Sequence, residues 1–144
     1  MTQEQKELLL KDLCARLPYG VVIQEKCVEQ DKTFFPNKGG GDRLVNIDAH
    51  THGGLLMVNC GSWYYLDEIK PYLFPLSSMT EEQREELDKY FDIDSKSLID
   101  GYKNGLRCPH PYFNVQDWYN KNHFDYRGLI PMGLANDATG LNIY

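Results

Sequence analysis

Leu10, Leu13, Cys14 and Leu17 stand at i, i+3, i+4 and i+7, the spacing that lines one side of an α-helix. Thr2 and Gln5 precede them three residues apart, a spacing at which hydroxyl and amide side chains cap the helix reciprocally. Pro18 should stop this helix at Leu17. The period then shortens. Gly20–Gln24 (running toward Cys27), Lys32–Phe35, Leu44–Asp48, Leu55–Asn59 and Trp63–Leu66 are short runs rich in β-branched and aromatic residues. A glycine-dense loop over 37–42 and a turn at Thr51–Gly54 separate some of them. Strands this short and close together predict a small antiparallel sheet or a partly open β-barrel.

Beyond Trp63–Tyr65 the pattern changes again. Pro71 and Pro75 make Ile69–Leu76 an expected extended connector. Thr80 and Gln83 repeat the capping spacing, Glu81 and Glu82 suit the positive end of a helix, and Glu85 to Lys89 is a favourable i,i+4 pair. Ser95–Asn104 is a further helical stretch, and Arg107–Phe113, with two prolines, is irregular. Asn114 caps a short helix expected to end near Asn122, and Gly128–Ala135 reads as an apolar tail against the core. The predicted class is α+β: an N-terminal helix, a small sheet, then a helical, loop-rich half.

Composition narrows the picture without changing it. The chain has 144 residues, 42 % of them hydrophobic and 25 % charged, which fits a single domain over 1–144, with the helical part 73–144 packed on 1–72. No apolar run approaches the roughly 20 residues of a membrane span, and the first residues lack the pattern of a secretory signal. A cytoplasmic setting is therefore expected, with Cys14, Cys27, Cys60 and Cys108 as buried, unpaired thiols.

The formal net charge is −6, and it is concentrated. Between Thr80 and Asp100 eight acids face three bases. Such a surface repels phosphate backbones, so direct nucleic-acid binding is not expected. It suits a partner protein with a basic surface, for which Glu82, Glu85 and Glu86 are candidate contacts, and it equally suits a solvated helix face.

One segment looks like chemistry. Leu44–Gly53 reads LVNIDAHTHG, and in an extended segment His50 and His52 would point the same way and could offer two imidazoles to one metal. It resembles the first metal-binding segment of amidohydrolases. Those barrels draw further ligands from later strands and need 200 residues or more. Only His110 and His123 remain in this chain to supply imidazoles. The sequence also lacks a G-x-S-x-G elbow and a phosphate-gripping G-x-x-x-x-G-K-[ST] loop. Cys108-Pro-His110 reads as loop. No catalytic residue and no cofactor are expected, and a polar turn with two histidines is the simpler account of the motif.

The aromatic residues are ten Tyr, six Phe and two Trp. Trp63, Tyr64 and Tyr65 are consecutive, so in a strand at least one must face away from the core. Large rings with polar tips suit recognition, which makes this triplet the other candidate binding surface.

Two longer blocks carry a resemblance. KPYLFPLSSMTEEQREEL and NKNHFDYRGLIPMGLA, with LPYGV at Leu17–Val21, resemble a set of small proteins of gut Bacteroides-type bacteria and their phages. The resemblance covers about half of the chain and implies a mobile-element or prophage setting. It brings no activity, cofactor or site residue with it. The expected function is an accessory protein acting through protein–protein contact. A small metal-dependent hydrolase at His50/His52 and a small-molecule-binding module are the alternatives.

Overall fold

The computed structural model describes residues 1–25, 42–48, 55–58, 61–91 and 115–144. Expectations for Lys32–Phe35, the glycine loop before Asp42, the Thr51–Gly54 turn, Ser95–Asn104 and Arg107–Phe113 lie outside them, as do Cys27, Cys60, Cys108, His50, His52 and His110.

Helix α1 spans Gln3–Arg16. Its cap forms as the spacing predicts: Gln5 N–H donates to Thr2 Oγ1 at 3.2 Å, and Thr2 N–H donates to Gln5 Oε1 at 2.8 Å. The chain leaves α1 through one tight turn, Leu17–Tyr19, which carries Pro18. Gly20 closes that turn at φ 66°, where an L side chain is strained, and a Cβ there would meet Arg43 Nη1 at 3.1 Å.

The buried strip of α1 is Leu9, Asp12, Leu13 and Arg16, not the Leu10–Leu17 strip the apolar pattern predicts. Leu10 and Leu17 are half-buried, and Cys14 is exposed rather than buried. The reason is electrostatic. Arg16 Nε and Nη2 reach Asp12 at 2.7 and 3.1 Å, so two charged residues one turn apart neutralise one another and turn inward. A hydrophobic count assigns such residues to the wrong side.

Strands β1 (Val22–Glu25), β2 (Asp42–Asp48), β3 (Leu55–Val58), β4 (Trp63–Tyr65), β5 (Ile69–Leu73) and β6 (Asn136–Asp137) form one sheet in the order β4-β3-β2-β1-β5-β6. The pairings are antiparallel except β5 with β6, which is parallel, so the sheet is mixed. The fold is α+β, with α1 packed against the sheet.

The expected connector at Ile69–Leu76 is a correction. Ile69–Leu73 is a strand inside the sheet, and only Leu76–Ser78 forms a turn. Pro71 is tolerated because β5 pairs with β1 there, at Ile23, whereas β6 joins the other side only at Tyr72 and Leu73. One missing N–H therefore needs no ladder partner.

Alternation along the first strand feeds two clusters. Val21 and Ile23 join Leu9, Leu13, Leu44, Leu56, Ile69 and Leu73 on the α1 face, together with Leu129 and Leu134. Val22 faces the other way and meets Tyr72 and Ala138, with Phe74 and Ile143 against them. The segment after helix α3 (Val115–Lys121) thus contributes to both faces, through Leu129 and Leu134 on one and Ala138 and Ile143 on the other. Helix α2 (Glu81–Phe91) begins with the predicted cap, Gln83 N–H to Thr80 Oγ1 at 3.3 Å and Thr80 N–H to Gln83 Oε1 at 2.9 Å. No helix among the described residues is long and apolar enough to cross a membrane.

Candidate interaction surface

Strand β4 is the last of the sheet among the described residues, paired on one side with β3 through Leu55↔Tyr65, Leu56↔Tyr64 and Met57↔Trp63. A period of two splits its three aromatic residues. Trp63 and Tyr65 point outward and are 46 % and 50 % exposed, whereas Tyr64 turns toward the core cluster. Val45, in the bulge between Leu44 and Asn46 of β2, adds a further exposed apolar side chain at 47 %. The tail 115–144 covers the outer face over β1 and β5, and leaves Trp63 and Tyr65 in solvent.

Tyr64 is the exception among the sequence candidates, because its hydroxyl donates to Glu25 Oε2 at 2.6 Å. That bond joins β4 to β1 across two intervening strands, a span of about 14 Å in a flat sheet at the usual strand spacing. Between them, β2 carries a bulge that adds local twist. Burial raises the pKa of Glu25 from its ordinary value, opposed by the Tyr64 hydrogen bond and reinforced by Asp42. Tyr64 is a strut between β4 and β1. The outer edge of β4, unpaired among the described residues, is softened locally, since Tyr65 N–H donates to Glu68 Oε2 at 2.9 Å.

The acidic candidates lie apart in the sequence but share this accessibility. Glu82, Glu85 and Glu86 are all exposed on α2. The pKa of Glu82 is lowered by its own backbone N–H and then by the Thr80 side chain, as expected for an acid in the first turn of a helix.

Two constellations escape hydrophobic patterning. The first is Asp12, fully buried, whose carboxylate takes Arg16 and also Arg127 Nε at 3.0 Å. Arg16 extends on to the carbonyl of Phe124 at 2.8 Å, so α1 is tied to the segment after α3. The second is Tyr144, whose hydroxyl accepts Val22 N–H at 3.1 Å and donates to the Tyr72 carbonyl at 2.6 Å. Only the i,i+4 spacing of Asp12 and Arg16 was visible in advance.

No group of three or more His, Cys, Asp or Glu able to hold a metal occurs among the described residues, and His50 and His52 lie outside them. A cleft of about 340 Å³ opens beside the start of α1, between Met1, Gln5, Ile69, Lys70 and Met132. Comparison with family models, curated protein sequences and solved structures finds no match to the chain.

Proposed function

We propose that this chain is a non-catalytic interaction protein that docks on a protein with a basic surface. The reading rests on one observation, the half-exposed Trp63 and Tyr65 on the outer side of the terminal strand. Rings of this size bury large area at little entropic cost, and Trp and Tyr carry binding energy out of proportion to their number. A net charge of −6 and the exposed acids of α2 supply the complementary term, steering a cationic partner toward the chain. The resemblance of the SSMTEE and HFDYRGLI blocks favours a bacterial cytoplasm and a phage or mobile-element accessory role.

Affinity capture from the native host, at low and at physiological salt, tests this with wild type and a Trp63→Ala/Tyr65→Ala variant. The expected result is a partner with a basic surface that wild type retains and the double variant loses. A partner held equally by both proteins, or one with an acidic surface, rejects the proposal.

A further inference from the structure

One carboxylate, that of Asp12, is fully buried and serves two guanidinium groups, those of Arg16 and Arg127. Asp125, the nearest acid along the chain, spends one oxygen on Leu129 N–H and the other on Ile130 N–H, each at 2.8 Å. His123 is held neutral under ordinary conditions by burial, with Arg16 and Arg43 adding to the effect. The cluster is thus one buried carboxylate holding two guanidinium groups, and its hydrogen-bond donors outnumber its acceptors.

Its accessible end is Arg127. Arg16 is wholly enclosed and directs Nε, Nη1 and Nη2 at Asp12, Tyr119 and Phe124. Arg127 uses only Nε, on Asp12, and its side chain is 15 % exposed. Its guanidinium lies 4.7 Å from the centroid of the Tyr126 ring, which stacks in turn on Tyr119 at 5.4 Å. Nη1 and Nη2 make no hydrogen bond or ion pair among the described residues. The fork is thus oriented at its base by a carboxylate and across its plane by an aromatic ring, with its outer donors unspent. That is the preparation a bidentate oxyanion contact needs, since little freedom is left to lose on binding.

We infer that Arg127 is the receiving group of an oxyanion-binding site, taking a carboxylate or phosphate group on Nη1 and Nη2. Such a ligand would take up the two donors of Arg127 that Asp12 leaves unused. The site is independent of the Trp63/Tyr65 surface and stands or falls separately from it.

The test is a titration of wild-type protein with inorganic phosphate and, separately, with acetate, at constant ionic strength set by chloride. Arginine side-chain Nε–Hε NMR signals are the readout. One Arg signal should shift and saturate with phosphate, with acetate or with both, and the pattern names the ligand class. That signal should be absent from Arg127→Gln, and Arg127→Lys, which keeps the charge and loses the fork, should bind at least tenfold more weakly. A change that follows chloride equally, fails to saturate, or persists in Arg127→Gln overturns the site. Because the first arm needs only wild type, a folding defect in a variant does not shield the proposal.

Discussion

The imidazole of His123 lies flat against the phenol ring of Tyr144, with centroids 3.7 Å apart and planes within 13°. His123 sits at φ 57°, holds its carbonyl against Phe74 N–H at 2.9 Å, and buries Nδ1 without a partner. Burial first, then Arg16 and Arg43, lowers its pKa from 6.5 to about 4. The unfolded chain therefore binds this proton more tightly than the folded one. Folding carries no penalty from this group above about pH 6.5, and stability is lost as pH falls toward about 4, where the loss reaches about 3 kcal/mol. Denaturation followed from pH 7 to 4 should show stability falling. His123→Asn, which tolerates the left-handed conformation and does not titrate, should flatten that fall. An unchanged slope would assign the titration elsewhere.

Tyr144 takes the place of a ladder bond. Ile23 pairs with Pro71, so Val22 and Tyr72 are the next positions, and the phenol hydroxyl bridges the N–H of one to the carbonyl of the other. Burial raises the pKa of this phenol, and it stays neutral as a donor throughout the physiological range. Tyr144→Phe keeps the ring on His123 and strands two backbone groups. Urea denaturation should report a loss of about 1–3 kcal/mol. A loss under about 0.3 kcal/mol would show that water replaces the hydroxyl freely.

Asp12 holds two guanidinium groups at once, so its loss differs from the loss of a surface ion pair. Asp12→Asn keeps the shape and leaves buried positive charge without a counter-ion. The expected cost is about 3–5 kcal/mol. A melting temperature close to wild type would mean that the guanidinium groups move out to solvent.

Legibility in the sequence followed how local the cause was. Thr2 with Gln5 and Thr80 with Gln83 act over three residues, and both caps form as the spacing predicts. The strands at 22–25, 44–48, 55–58 and 63–65 were visible through side-chain type and alternation. Strand β5 was hidden by Pro71, whose cost depends on where β6 begins to pair, a fact of the assembled sheet. The two-residue β6 had too little length to announce itself. Trp63 and Tyr65 were separable from Tyr64 by strand period, but which side faced out depended on α1 covering the other. Arg127 was invisible because its partner, Asp12, lies 115 positions earlier.

Helix α1 offers a direct test of its one-residue rotation. Leu9 and Leu13 are fully buried in the main cluster, while Leu10 is half-buried at its edge. Leu9→Ala and Leu13→Ala should each cost about 2–5 kcal/mol, as large-to-small changes in a core do. Leu10→Ala should cost clearly less, under about 1.5 kcal/mol, because less area returns to water. The reverse order in thermal denaturation would restore the strip read from the apolar pattern.

The acidic helix separates docking from solvation. Glu82, Glu85 and Glu86 are exposed, so replacing all three with Gln should change folding by no more than about 0.5 kcal/mol per site. Glu81 is left in place, since at the helix start its loss would weaken the helix itself. Charge complementarity acts chiefly on encounter rate and is screened over about 8–10 Å at physiological salt. The triple variant should therefore associate more slowly with a basic partner at low salt, and the gap from wild type should shrink as salt rises. Dissociation should change little, because the exposed rings of Trp63 and Tyr65 are untouched. Association rates equal to wild type at low salt would make α2 a solvated face and leave the aromatic strand as the whole of the docking surface.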